Sequence, residues 1–265
     1  MGKMIKKFLI GLLLVAVLTG SLFRLEERFQ LFRLKGIEVQ PQAIISNKKV
    51  WDQIPKRDKR LWPLLLFHRR KLTKNIMEQV PVSARLELAG WGYFRLKVTP
   101  LNPWFMVFWN GSEWYLSLDG RIWSIHHEMN NVILHQEPLE GPILVWNETM
   151  YDLVPGSSQK MTKSSVLVSR APVEKLKTWK ESLQLLGFYD DTDSIMVLQN
   201  EGTLLLELVM RKDSNTVKIL VPASPEEWEY TFPAIREIIR QTGLKSGEIF
   251  IDGTYSGKIL VRTEN

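Results

Sequence analysis

The feature that most constrains this chain is an uncharged apolar run near its start, FLIGLLLVAVLTGSLF, residues 8–23. As a helix it would be about 24 Å long, at about 1.5 Å per residue, which is shorter than the roughly 30 Å hydrocarbon core of a bilayer. Lys6, Lys7 and Arg24 flank the run and can extend their charged groups to the headgroups. We therefore predict a transmembrane anchor over residues 8–24. Its anchor residues include Phe8, Leu12, Leu14, Val17 and Phe23.

A cleaved secretory leader would also begin with basic residues and an apolar core, so the cleavage site has to separate the two possibilities. Cleavage needs small residues at positions −3 and −1, and a cut after Gly20 would place Leu18 at −3. The one tolerable site, at Thr19-Gly20-Ser21, is weak. We expect an uncleaved anchor, and the alternatives are a cleaved leader and a buried helix of a soluble protein.

The orientation follows from the short tail, residues 1–7, which carries Lys3, Lys6 and Lys7. Basic residues in a short flanking segment hold it in the cytoplasm. Basic residues also follow the run, but they precede a long segment, and long segments translocate largely regardless of charge. The sequence thus predicts a single-pass inner-membrane protein with its N-terminus in the cytoplasm and everything after Arg24 outside.

The positive charge of the chain is concentrated in one segment. Residues 56–74 carry eight Lys or Arg residues against Asp58 alone, a net charge of +7, while the whole chain has +6. The rest is therefore close to neutral, which does not favour a nucleic-acid-binding protein. Outside the cytoplasm, the partners that fit this basic segment are anionic headgroups or an acidic protein face, and the preferred interpretation is a merely solvated face. The absence of cysteine from the chain excludes disulfides and thiolate metal sites.

Residues 32–101 show a β-α-α-β-β order. RLKGIEVQ alternates as a strand, and Ser46 can cap a short helix. After a basic loop, Leu72, Ile76 and Val80 form the apolar stripe of a second helix, and VSARLEL and YFRLKV alternate as two further strands. The residues expected to face inward are Ile37, Val39, Ile76, Leu86, Leu96 and Val98.

Residues 102–265 are predicted to form a β-rich second domain with two or so helices. WFMVFW and SEWYLSL flank Asn110-Gly111, a strong hairpin signal, and RIWSI, NNVILH and PILVW follow as strands. A polar loop is predicted at 155–165 and a helix from Val173 closed by Gly187. After SIMVLQ, TLLLELVM and TVKILV, a helix is expected from about Phe232, with Pro233 at its first position and Gly243 after its end. EIFID and KILVR end the chain, and the predicted fold class is α+β.

The sequence offers no recognisable catalytic motif: we find no G-x-S-x-G, P-loop, H-E-x-x-H or dinucleotide fingerprint. His126, His127 and Glu128 are adjacent, so on a strand they would point to alternate faces and could not share a metal. DDTD at 190–193 lacks the glycine and distal glutamate of a calcium loop. We expect no enzyme, no cofactor, no metal and no small-molecule substrate, and a tethered hydrolase is the third-ranked interpretation.

The order of these segments resembles the FtsQ/DivIB family of bacterial divisome proteins. GIEVQ lies where the first strand of the family's POTRA domain follows the membrane, and EQVPVSARLEL is similar to its entry into strand two. Three further segments resemble parts of the family. The domain junction corresponds to FRLKVTPLNPWFMVFWNG, the following turn to LSLDGRIW and the closing strand to IFIDGTYSGKILVR. Two positions depart from the family: Pro100-Leu101-Asn102 replaces its Glu-Arg pair, and Thr254 replaces an arginine.

The resemblance implies a scaffold that binds the small partners FtsB/DivIC and FtsL and, through them, helps control septal peptidoglycan synthases. A strand that enters a sheet last often lies at its edge, and the resemblance points to the same place for the partner. The expected contact residues are Thr254, Tyr255, Ser256, Gly257 and Lys258. The alternative is a POTRA-bearing module of an envelope export or outer-membrane assembly system.

Overall fold

The computed structural model describes residues 20, 30–133, 139, 141–146, 166–168, 173–200, 202–212, 215–242, 247–255 and 257–264. The predictions for the tail 1–7, for Phe8, Leu12, Leu14, Val17 and Phe23 of the anchor, for the loop 155–165, and for Gly243 and Ser256 lie outside these residues. In the described part of the chain, no helix combines the length and the apolar character that crossing a membrane requires.

The fold is α+β and rich in sheet, which confirms the predicted class. The described residues form two compact units: residues 30–77 with 82–99, and residues 78–81 with those from 100 onward. Each unit is described by itself below.

The first unit is built from a three-stranded sheet and three helices. Its elements are β1 Gly36–Gln40, α1 Asn47–Gln53, α2 Lys56–Arg60, α3 Trp62–Gln79, β2 Val82–Gly90 and β3 Tyr93–Pro100. The strand order is β1-β3-β2, with β1 parallel to β3 and Val39 opposite Leu96. The predicted strands are thus in place, but the segment predicted as a basic loop is helical.

Local sequence explains the helices of this unit. The Ser46 hydroxyl accepts the Lys49 N–H at 3.2 Å, the predicted cap of α1. The helix α3 starts ten residues before Leu72 because Trp62 and Leu65 extend its buried stripe toward the N-terminus. All six residues predicted to face inward are buried: Ile37, Val39, Ile76, Leu86, Leu96 and Val98.

The second unit contains one sheet of ten strands. Its strands are β4 Pro103–Trp109, β5 Ser112–Ser117, β6 Arg121–Ser124, β7 Ile143–Val145, β8 Val166–Val168, β9 Ser194–Asn200, β10 Thr203–Lys212, β11 Asn215–Pro222, β12 Glu248–Tyr255 and β13 Lys258–Glu264. The order across the sheet is β13-β12-β11-β10-β9-β7-β4-β5-β6-β8. Its helices are α4 Asn130–Ile133, α5 Val173–Leu185 and α6 Trp228–Thr242, with a 3₁₀ turn at Pro225–Glu227.

The core of this unit lies between the sheet and the two longer helices. The helix α5 buries Leu176, Trp179 and Leu183, and α6 buries Trp228, Phe232 and Ile235. These side chains form one cluster with alternate residues of the strands, including Val107, Leu206, Ile219 and Ile251.

Turn residues set the register of the hairpins as predicted. Asn110 and Gly111 both have positive φ, 49° and 71°, and join β4 to β5 in a two-residue loop. Gly187, at φ 67°, follows the last turn of α5.

The turn before β6 is held by a polar cluster in the LSLDGRIW segment. The Arg121 Nε donates to Asp119 Oδ2 at 2.7 Å, and the Ser117 hydroxyl donates to Asp119 Oδ1. Partial burial raises the pKa of Asp119, but the hydrogen bonds from Arg121 and Ser117 outweigh this effect, so the pKa lies below its usual value. This motif of the resemblance thus has a local structural role.

Two predicted elements of this unit differ from the structure, and one strand was not predicted. NNVILH was predicted as a strand, but Asn130–Ile133 is a short helix, because the Asn130 amide bonds the Ser124 and Ile125 carbonyls and the Trp123 indole. The last helix begins at Trp228 and has Pro233 inside it, since Pro225 opens the preceding turn. The strand β8 was not predicted, because three residues are too few to show an alternation.

Candidate partner-binding edge

The last strand, β13, lies at one end of the ten-stranded sheet. It pairs antiparallel with β12, and no strand in the described part of the chain pairs with its outer side. An edge strand presents a row of main-chain N–H and C=O groups to whatever lies beside it. β13 therefore offers a template on which an extended segment could add as an eleventh strand.

The hairpin that leads into β13 is tighter than the sequence predicted. We expected a turn from Gly253 to Gly257, but β12 continues through Tyr255, which lies opposite Lys258. The strand accommodates this by a bulge between Asp252 and Tyr255. Gly257, directly before β13, has φ 68°, a conformation that glycine adopts without steric cost.

Asp252 stabilises the bulge through Thr254. The Thr254 N–H and hydroxyl both donate to Asp252 Oδ1, at 3.0 and 2.7 Å. Because its hydroxyl is already bonded within the hairpin, the Thr254 side chain helps to fix the shape of the edge. Among the predicted contact residues that the structure describes, Thr254 is thus one whose side chain has a structural role.

The two faces of β12 have different environments. Ile249, Ile251 and Gly253 are buried on the side of α6. A Cβ on Gly253 would lie 2.8 Å from Cγ2 of Thr231 on that helix, which is too close for two carbon atoms. Glycine at this position therefore lets the hairpin lie against α6.

We predict that Gly253→Ala lowers the free energy of unfolding of the second unit by about 1–3 kcal/mol, the usual cost of overpacking. Thr231→Ser removes the clashing methyl group and keeps the hydroxyl that donates to the Glu227 carbonyl at 2.9 Å. The double variant should therefore regain most of the lost stability in a urea melt. An equal loss in the single and double variants would contradict this account of the contact.

Tyr255 is the most prominent of the predicted contact residues. Its side chain is 55% exposed, and it makes no hydrogen bond or ring contact with any described residue. This exposure favours a surface role for Tyr255 over packing within the hairpin. Lys258 is also exposed, at the start of β13.

Two apolar residues of the edge were missed by the sequence analysis. Leu260 and Val261 are both exposed, whereas Ile259 packs partly against the core. The signal was present in KILVR, because three consecutive apolar residues on a strand cannot all face one side. Lys258 and Arg262 flank them, so the edge combines apolar area with positive charge.

The other chemical candidates have structural explanations. His127 is buried in the turn after β6, where its Nδ1 accepts the Met129 N–H at 3.2 Å, so it does not lie on a strand. Asp190 to Asp193 lie in the turn before β9. Within the described ranges, no three His, Asp or Glu side chains are grouped so that they could hold a metal ion.

A comparison of the sequence with models of known protein families and with curated proteins gives no match.

Proposed function

We propose that this chain is a membrane-tethered, non-catalytic scaffold of the bacterial divisome, of the FtsQ/DivIB kind. In this proposal residues 32–101 are a POTRA domain and residues 102–265 the β-rich domain that binds partners outside the cytoplasm. The partners are small membrane proteins of the FtsB/DivIC and FtsL type, through which the chain helps assemble and control septal peptidoglycan synthases.

The observation that carries the proposal is the exposed edge of β13. An extended segment that adds to a sheet edge gains affinity from main-chain hydrogen bonds and specificity from alternate side chains. Tyr255 and Leu260 offer exposed apolar area beside this edge, and large aromatic side chains are enriched among the residues that dominate binding energy. Lys258 and Arg262 would attract acidic side chains of the partner and act mainly on the association rate.

The order of the first unit also supports the proposal. A strand, helices and two further strands follow the predicted anchor directly, with the sheet order β1-β3-β2. This agrees with the β-α-α-β-β order on which the resemblance to a POTRA domain rests, with α2 as an added single turn.

The cellular test is localisation of a fluorescent fusion of the full chain. A band at midcell in dividing cells is expected, because a divisome scaffold acts at the septum. A uniform signal around the envelope would contradict the proposal and favour the alternative, a POTRA-bearing module of an envelope export or assembly system.

We predict that Tyr255→Ala weakens binding of an FtsB-like partner at least tenfold, about 1.4 kcal/mol, and leaves the melting curve nearly unchanged. The matched control is Tyr230→Ala, since Tyr230 is 84% exposed but belongs to α6 and not to the edge hairpin. Calorimetry on residues 30–265 of both variants makes the comparison. Intact binding by a folded Tyr255→Ala protein would reject this site. Loss of folding would mean that the Tyr255 side chain is needed for packing.

A further inference from the structure

The helix α3 has an exposed face on which cations surround an aromatic residue. Phe67, Arg70, Lys71 and Lys74 recur at the i, i+3, i+4, i+7 spacing, so they share one side of the helix. The opposite side carries the buried residues Leu65, Leu72 and Ile76. Phe67 is 80% exposed, on the same side of the helix as these cations.

Two of the cations on this face have no acidic partner among the described residues. The guanidinium of Arg70 and the ammonium of Lys71 form no ion pair with any described residue. Asp58, the one acidic residue of segment 56–74, is buried and lies 2.7 Å from His68 Nδ1. The carboxylate is thus withdrawn from the surface, on which Arg70 and Lys71 are exposed.

The chain enters the first unit beside these two helices. The Leu34 N–H donates to the Lys59 carbonyl at 2.9 Å, and the Trp62 N–H donates to the Phe32 carbonyl at 2.8 Å. In the proposed function the membrane anchor ends at residue 24. Seven residues, 25–31, then separate the anchor from Phe32, and seven residues span at most about 25 Å. The end of α2 and the start of α3 would consequently be held close to the headgroups.

We propose that this face of α3, with the cations of α2, docks on anionic phospholipid headgroups of the membrane that anchors the chain. A lipid surface fits better than an acidic protein face because Phe67 lies among cations, the arrangement of helices that bind in the headgroup region. Basic residues next to a membrane segment are also attracted to anionic lipids. This inference rests on the membrane anchor of the proposed function.

The test uses the full chain, which has no cysteine of its own. Phe67→Cys is labelled with an environment-sensitive dye and reconstituted into vesicles of phosphatidylcholine alone or of equal parts phosphatidylcholine and phosphatidylglycerol. Quenching by a lipid-borne quencher reports contact with the surface. Arg85→Cys is the control position, because its side chain is 82% exposed and alternates with the buried Leu86, on the sheet face turned away from the core.

We expect quenching at position 67 in the anionic vesicles, at least twofold stronger than in the neutral ones and weakened by high salt, with none at position 85. The double substitution Arg70→Gln with Lys71→Gln should reduce the equilibrium constant for docking by about fivefold for each charge removed. The matched control, Lys175→Gln with Lys177→Gln, removes the same charge from α5 and should change nothing.

The remaining outcomes overturn the inference in distinguishable ways. Equal quenching in both kinds of vesicle, or none, overturns the docking alone. A response to soluble polyglutamate but not to anionic vesicles would assign the face to an acidic protein. Loss of the chain from the vesicles in an alkaline wash would overturn the anchor, and with it both the proposed function and this inference.

Discussion

Trp228→Ala should lower the free energy of unfolding of the second unit by about 3–5 kcal/mol. Trp228 is fully buried at the start of α6, and its ring packs edge-on against Phe232 at a centroid distance of 5.3 Å. Its indole N–H donates to the Pro222 carbonyl at 2.8 Å. The substitution therefore removes a large side chain from the core and leaves a buried carbonyl without that donor.

A urea melt of residues 30–265 measures the effect, with Tyr230→Ala as the control on the same helix. Because Tyr230 is almost wholly exposed, its removal should change the free energy by less than about 0.5 kcal/mol. A loss in Trp228→Ala no larger than in the control would mean that α6 does not hold the sheet in the way described.

The role of α6 explains why the edge hairpin has a defined shape. Ile235 lies in the same core cluster as Ile249 and Ile251 of β12. Next to them, Thr231 lies against Gly253, where the bulge begins. The core thus fixes one face of β12 up to the point at which Tyr255 becomes exposed, so a partner would meet a strand that is already positioned.

Sequence patterns predicted the parts of the fold whose signal is local. Asn110-Gly111 predicted its hairpin because a two-residue loop of type I′ requires positive φ at both positions. The alternation in β1 and β3 predicted the buried residues Val39 and Leu96, because successive side chains on a strand face opposite sides.

Other parts could not be predicted because they depend on contacts between distant segments. Segment 56–74 was predicted as a loop because its charges obscure the apolar stripe that Trp62 and Leu65 contribute to α3. The NNVILH segment has the composition of a strand, but Asn130 forms hydrogen bonds with Ser124 and Ile125 that favour a helical turn.

In the candidate site, too, the sequence predicted the features with a local signal and missed those that depend on contacts. The sequence predicted that the last strand would lie at a sheet edge, and the strand order has β13 at one end. It did not predict the bulge, because that depends on Asp252 accepting two hydrogen bonds from Thr254. Nor did it identify Leu260 as exposed, since the direction of each side chain depends on the register with β12.

Ile76→Ala should destabilise the first unit by about 2–5 kcal/mol, because Ile76 is fully buried in the stripe of α3 and its removal leaves a cavity. Denaturant melts of residues 25–103 measure the change in midpoint. Leu88→Ala is the matched control in the same unit, since Leu88 is about half exposed, and it should cost far less. An unchanged midpoint in Ile76→Ala would refute the assignment of this core.

In the full chain, the Ile76→Ala substitution should leave the affinity for an FtsB-like partner within about twofold at temperatures where the first unit stays folded. The reason is that the residues of the proposed edge belong to the second unit. A tenfold loss of affinity there would mean that partner binding needs the first unit as well as β13.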